Sequence, residues 1–437
     1  MNIKIEGRLA AISRKPLRCL GVLLAGMPAL GIALCAAAAT AAPAASDARL
    51  LAAANAAQPE LIATLKSLVM IETGSADAAG LAQMASLLDT RLKALGFKTE
   101  RRKASAGVSA DIVIGTLNGS GTKKIMLQAH MDTVYQAGIL QTQPYKLDGN
   151  RLYGPGIADD KGGLAVILHA LKILADTGWK DYATLTVLVN PDEEVGSIGS
   201  GELISALADQ HDTVLSFEPT VAKTVMKGEP LLLGTAGIAA VTLEVRGRAA
   251  HAGAAPELGR NAILEISHQM LQTRDLTKDI PGVTLNWTNV ISNKAVNQIP
   301  ELAVAQGDVR ITLSGAEDKL NAALQARVAC SKLIPDTVTS VKLVVGRPSF
   351  QAGAAGQALA ARAQGIYQEI GRDLALVPMT GAGTDAAFAR RSGKATVLES
   401  FGLAGFGYHA RDEYIELDSI VPRLYLVTRL LTEIGKQ

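Results

Sequence analysis

Apolar positions along the chain change period several times, and each change predicts an element. Leu61, Leu65, Leu68 and Val69, then Leu81, Met84, Leu87, Leu88, Leu92 and Leu95, recur at helical spacing, so residues 56–98 read as two helices. Residues 43–55 show no such period and read as an irregular, mobile segment. Ile125 to Ala129 is a short buried strand ending at His130. From Gly162 to Thr177 the pattern is helical again, with Leu164, Ile167, Leu168, Leu171 and Leu174 on one face. Thr184–Val189 and Thr213–Phe217 are strands that stop just before Asp192 and Glu218. Strands alternating with helices predict an α/β fold with a mostly parallel sheet. Such sheets place their sites beyond the C-terminal ends of their strands, where the polar clusters of this chain fall.

Residues 236–346 follow another rhythm. Val241, Leu243 and Val245 alternate with Thr242, Glu244 and Arg246, as in a half-exposed strand. A helix (Asn261–Leu271), strands near 283–290 and 302–313, a second helix (Asp318–Leu333) and a strand (Val341–Val345) complete a β-α-β-β-α-β order, that of a ferredoxin-like domain. Leu359–Ile370 then resumes a helical pattern. The smaller domain is therefore expected as an insertion, between the two parts, 47–235 and 347–437, of the larger one.

Composition narrows the setting. Of 437 residues 48% are hydrophobic and 19% charged, which predicts a packed globular protein. Residues 1–42 combine a basic start (Lys4, Arg8, Arg14, Lys15, Arg18) with an uncharged stretch from Cys19 and a small-x-small site at Ala39-Thr-Ala41. They read as a cleavable signal peptide, with Pro28 arguing against the competing reading of an uncleaved anchor. Beyond residue 42 there are 38 basic and 40 acidic residues, so neither nucleic acid nor an anionic membrane is an expected partner. Cys330 is the one cysteine beyond the signal, which rules out an intrachain disulfide there and fits a periplasmic or secreted protein. Its amphipathic surroundings predict a buried hydrophobe.

The chemistry lies in His130-Met-Asp132, Asp159-Asp160-Lys-Gly, Asp192-Glu193-Glu194, Glu218 and His409. Imidazole and carboxylate are zinc ligands, and a catalytic site leaves a position open for water. His130 can ligate, while Asp132 is placed to accept its other ring N–H. Asp159 or Asp160 can bridge two metals. Glu193 and Glu194 should diverge on an extended backbone, so that one binds metal and the other faces the water. Two metals would polarise a carbonyl and activate that water, and the free glutamate would carry its proton to the leaving amine. Each cluster alone is an ordinary surface pair or helix cap, but caps alone do not explain polar clusters after several strands. His169, His211 and His268 read as structural. No Gly-x-Ser-x-Gly elbow supports a serine hydrolase. A non-catalytic binding protein would have no use for the spare carboxylate.

In order, His-Met-Asp-Thr-Val (130–134), Tyr-Gly-Pro-Gly-Ile-Ala-Asp-Asp-Lys-Gly-Gly (153–163), Asp-Glu-Glu (192–194), Ser-Phe-Glu-Pro-Thr (216–220), His-Ala-Gly-Ala-Ala-Pro-Glu-Leu-Gly (251–259), Gly-Thr-Asp-Ala-Ala (383–387) and Gly-Phe-Gly-Tyr-His (405–409) resemble the two-zinc exopeptidases. That family includes glutamate carboxypeptidases of the carboxypeptidase G type, aminoacylases, tripeptidases and succinyl-diaminopimelate desuccinylases, and the first group is the most similar. The resemblance implies two Zn2+ per subunit. His130 and Glu218 would hold one, Glu194 and His409 the other, with Asp159 bridging and the Asp159–Asp160 peptide cis. Glu193 would be general base, then acid. The inserted domain would dimerise two subunits, and His251 would reach the partner's site to stabilise an oxyanion. Asn297 and Arg310 would grip the substrate carboxylate, Arg347 the glutamate side chain, and Thr384 would also contact substrate. The substrate would be an N-acyl, peptidyl or folate-type donor ending in glutamate, a broader aminoacylase or dipeptidase being the alternative. Pro230 departs from the pattern, standing where the carboxypeptidase G group has a lysine near the substrate.

Overall fold

The computed structural model describes residues 45–437 apart from Lys294. The signal reading for 1–42 therefore lies outside the described residues. Among them, no helix is long and apolar enough to cross a membrane.

Two helices come first, α1 (Ala48–Val69) and α2 (Ala78–Ala94). The expectation of an irregular 43–55 is overturned, because α1 is helical from Ala48 and buries Leu50 and Ala54. Asp47 caps it, its carboxylate accepting from the Leu50 N–H at 3.0 Å while its own N–H donates to the Tyr425 hydroxyl at 2.8 Å. The alanines of 52–57 carry too little side chain to display a period, yet alanine has the highest helix propensity.

The chain continues through β1 (Lys98–Lys103), β2 (Asp111–Asn118), β3 (Lys124–His130), α3 (Lys161–Asp176), β4 (Thr184–Asn190), α4 (Gly201–Ala208) and β5 (Thr213–Ser216). Next come β6 (Gly237–Arg246), α5 (Ala262–Thr273), β7 (Val283–Ser292), β8 (Leu302–Ile311), α6 (Ala316–Cys330) and β9 (Val338–Arg347). The last elements are α7 (Gly353–Glu369), α8 (Ala386–Arg390), β10 (Thr396–Leu398) and α9 (Ile420–Gly435).

The central sheet has the order β1-β2-β4-β3-β5-β10. Strands β4, β3, β5 and β10 run parallel, with β2 and β1 added antiparallel at one side. Both faces are covered. Ile125, Leu127, Val187 and Leu215 join a core shared with α1, α2, α3, α7 and α9, whereas Met126, Leu188 and Val214 meet α4 and α8. Burial on two sides is why these strands read as nearly continuous apolar runs. A second sheet of short strands (Lys146–Asp148, Arg151–Tyr153, Tyr414–Glu416, Ala404–Phe406, Thr220–Val221) escaped the sequence reading. It ties together the segments that lead to Asp159, follow Glu218 and precede His409.

The segment from β6 to β9 forms its own antiparallel sheet, β7-β8-β6-β9, the ferredoxin-like order. Val241, Leu243, Val245, Ala305 and Val309 face Ile266 of α5 and Leu320 and Leu324 of α6. Cys330 is exposed, contrary to expectation. α6 buries Ala316, Leu320, Leu324 and Val328, a row with a spacing of four. Two residues past Val328, Cys330 has turned to the other side of the helix.

Gly163, in the first turn of α3, marks where that helix meets the sheet. A Cβ there would lie 2.1 Å from Asp160 Oδ1 and 2.3 Å from the Phe217 carbonyl oxygen. Gly163→Ala is expected to cost about 1–3 kcal/mol of stability, read as a lower denaturation midpoint. An unchanged midpoint would contradict the tight approach.

Candidate metal centre

Three adjacent parallel strands deliver three of the polar segments to one edge. β3 ends on His130, β4 leads into a 3-10 turn at Glu193–Val195, and Glu218 follows β5. Asp159 comes from the loop before α3. His409 follows the strand Ala404–Phe406, in left-handed backbone conformation at φ 61°.

The side chains converge as two groups. His130, Asp159 and Glu218 offer ligand atoms all within 4.8 Å of one another, and so do Asp159, Glu194 and His409. His130 Nε2 is 3.0 Å from Asp159 Oδ1 and 3.7 Å from Glu218 Oε2. His409 Nε2 is 3.0 Å from Glu194 Oε2 and 3.5 Å from Asp159 Oδ2. Asp159 thus presents one oxygen to each histidine. Its neighbour Asp160 is turned away, capping α3 through the Gly163 N–H at 3.1 Å and accepting from the His130 N–H at 3.3 Å. The peptide between the two aspartates is cis.

Charge explains what the cluster needs. Burial pushes Glu218 and Glu194 above the usual carboxylate range. Burial opposes ionisation of Asp159 too, but hydrogen bonds from His130 and His409 hold it below that range. Carboxylates this close, with imidazoles between them, favour divalent cations over protons as the neutralising charge. The donor set of imidazole and carboxylate fits zinc. Glu193 belongs to neither ligand group. Burial drives its carboxyl well above the ordinary value against the pull of Arg347.

Residues behind the ligands hold them. Asp132 accepts the Glu193 and Glu194 N–H groups at 3.0 and 3.1 Å and the Ser75 hydroxyl at 2.7 Å. Its carboxylate also stands 3.3 Å from His130 Nδ1, which lies 3.1 Å from the Asp132 carbonyl oxygen. Glu193 and Glu194 diverge as expected, but on a 3-10 turn and not on extended backbone. Asp192 is no ligand: it accepts from the Gly199 N–H and the Ser200 hydroxyl, both at 2.6 Å. Sequence reading missed Glu413. Its carboxylate accepts the N–H groups of Gly156, Ala158 and Asp159 at 2.8–3.0 Å and the Tyr135 hydroxyl at 2.8 Å. A single acid in a charged loop carries no motif that would have flagged it.

The expected substrate residues are more scattered. Thr384 is buried and lines a cavity of about 360 Å³ beside Glu193, Glu194, Glu218 and His409. Arg310 reaches from β8 to the Gly381 carbonyl oxygen at 3.3 Å. Arg347 is 3% exposed. One of its terminal nitrogens contacts the Glu193 carboxylate, and the other donates to the Glu193 carbonyl oxygen at 2.6 Å. His251 and Asn297 are exposed on the smaller domain, outside that cavity, with the Ala252 N–H bonded to the Asn297 carbonyl oxygen at 2.9 Å. His251 Nδ1 accepts from the Gly253 and Ala254 N–H groups at 3.2 and 3.1 Å, so the ring proton lies on Nε2. His169, His211 and His268 make local bonds to Thr64, Thr186 and Ser331.

A parallel-sheet domain with clustered ligands at its strand ends and one uncommitted glutamate defines a metal-dependent amide hydrolase. Residues 126–433 match the family described as peptidase family M20/M25/M40. The chain belongs to that family and is a zinc-dependent metallo-exopeptidase. It is 46% identical over 379 residues to carboxypeptidase G2 of Pseudomonas sp. (strain RS-16), covering 86% of this chain and 90% of the relative. It is 31% identical over 292 residues to succinyl-diaminopimelate desuccinylase of Maricaulis maris, covering 64% and 72%. Among solved structures, a tripeptidase from Staphylococcus aureus shares the fold with a TM-score of 0.72 at 19% identity, covering 87% of this chain and 99% of that one.

Glu413→Gln replaces an acceptor of several donors by an amide that must turn its NH2 toward one of them. Zinc affinity is expected to fall about 10–100-fold, measured by competition with a chromogenic chelator on folded protein. Unaltered affinity would deny Glu413 its hold on the Asp159 loop.

Proposed function

We propose that the protein removes a C-terminal amino acid, glutamate foremost, from N-acyl, peptidyl or folate-type donors, using two zinc ions per subunit. The observation that carries this reading is the placement of Asp159, one oxygen toward each histidine, with Glu193 left outside both ligand groups. Bound zinc would polarise the scissile carbonyl and lower the pKa of water. His130, Glu218 and Asp159 would hold one ion, and Glu194, His409 and Asp159 the other.

Glu193 is the base that accepts the proton of the attacking water and the acid that returns it to the departing nitrogen. Burial raises the proton affinity of its carboxyl, and Arg347 steadies its position. Arg310, which already spans from the smaller domain to the loop at Gly381, receives the substrate's terminal carboxylate, whereas Asn297, expected to share it, lies exposed beside His251 outside the cavity. Arg347, the residue expected for the glutamate side chain, stands behind that loop with its terminal nitrogens on Glu193 and is not among the residues that line the cavity. A wider cleft of about 690 Å³, lined by Ser75, Thr133, Tyr135 and Val195, meets Glu194 from the other side and has room for a bulky acyl half. In a homodimer built through the smaller domains, the Nε2–H of His251 would donate to the oxyanion in the neighbouring subunit's site. The mature enzyme would act in the periplasm or outside the cell after loss of its signal peptide, without membrane or nucleic-acid partners. A broader aminoacylase or dipeptidase of the same fold is the second reading, favoured by the uncharged wall of the smaller cavity.

Glu193→Gln should keep its zinc by elemental analysis while kcat for release of glutamate from an acyl-glutamate falls about 10²–10⁴-fold. Turnover near that of the wild type would remove Glu193 from the mechanism. Chelation should abolish activity, and added zinc should restore it. Activity that survives complete metal removal would end the two-zinc reading.

A further inference from the structure

The cavity beside the ligands has two unlike walls. One is made of the metal-binding acids, Glu193 and His409. The other is uncharged, formed mainly by Val221, Pro230, Leu232, Thr384, Ser400 and Tyr408. No lysine or arginine is among the described residues that line it.

The nearest cations are committed elsewhere. Arg347 stands behind Gly383, where an added Cβ would be 3.1 Å from its Cδ. Its terminal nitrogens are taken by Glu193, with Ser197 Oγ at 3.4 Å. Arg310 touches the Gly381 carbonyl oxygen at the rim, the place for the terminal carboxylate. The leaving residue's side chain therefore enters a space with apolar walls.

That space still has polar contacts to offer. Thr384 and Ser400 are 5% and 1% exposed and both line the cavity; the Thr384 hydroxyl lies toward the buried Glu399 carboxylate, and the Ser400 hydroxyl has no partner among the described residues. Buried hydroxyls seldom go unpaired, so the Ser400 hydroxyl is a position for a bound ligand to satisfy. Ser400 is held at φ 77°, with its N–H donating to Glu399 Oε1 at 2.6 Å. A hydroxyl can donate to a carboxylate or a carboxamide and so distinguishes the two weakly.

We infer that this pocket receives the leaving side chain without an ionic partner, so that the enzyme releases uncharged C-terminal residues such as glutamine and methionine alongside glutamate. The inference rests on the exopeptidase reading and widens its substrate class. Glutamine, isosteric with glutamate, isolates the effect of charge. Methionine has no polar end and tests the apolar wall.

The experiment uses the zinc-loaded enzyme with one N-acyl group and C-terminal Glu, Gln, Met or Lys, following release of free amino acid. Glutamine and methionine donors are expected to have kcat/KM within about tenfold of glutamate, the range in which an apolar pocket discriminates. Pro230→Lys should raise the Glu:Gln ratio about tenfold or more, mainly through KM, by placing a cation on the uncharged wall. Ser400→Gly tolerates the left-handed backbone and should lower glutamine and glutamate release about fivefold more than methionine release, the loss expected for one hydrogen bond. Glutamate exceeding both neutral residues by more than about 100-fold in the wild type would overturn the inference while leaving the exopeptidase reading intact. No release from any donor would overturn both.

Discussion

Crowding of negative charge around Asp159 is the constraint on which the site depends. Four acids, Asp159, Glu193, Glu194 and Glu218, meet buried or half-buried beside the buried His130 and the exposed His409, and burial makes each additional charge costly. The ligands remain in place because their backbones are anchored by groups that do not ligate. Asp132 holds the Glu193–Glu194 turn, Asp160 joins His130 to the start of α3, and Glu413 gathers the loop before Asp159. With the frame fixed this way, cations complete the balance.

The two sheets of the larger domain share the task. The central sheet brings its strand ends together at one edge, an arrangement that needs only parallel pairing and apolar strands. The small sheet is what places His409 there, since it pairs Ala404–Phe406 with Thr220–Val221 just beyond Glu218. The smaller domain adds Arg310 across the gap to Gly381 and presents His251 and Asn297 on its exposed surface. The cavity wall that includes Pro230 is formed apart from the clustered histidines His130 and His409.

Much of this was legible in the order of residues. Period changes located the strands and helices because burial on one or both faces imposes a spacing that local sequence must satisfy. The candidate ligands were legible because caps alone do not explain polar clusters after several different strands. Where local spacing is silent, reading failed. The alanine-rich start of α1 has no large side chains to show a period, and its capping partner Tyr425 lies at the other end of the chain. Cys330 sits in a sound helix but on the face turned from the core.

The sequence by itself therefore determined the fold class and a set of candidate histidines and acids with one acid to spare, since these follow from period and residue type, while the assignment of ligands came from the family resemblance. Only the tertiary structure decided that Asp159 faces both histidines while Asp160 caps a helix, because the two are chemically identical and differ in direction alone. It also decided the role of Glu413 and the engagement of Arg347 with Glu193. Each depends on segments that are remote along the chain and meet only when the sheets close. The character of the cavity was settled at the same level. An uncharged wall is a property of which residues converge, and residues 221, 230, 384 and 400 come from segments far apart along the chain.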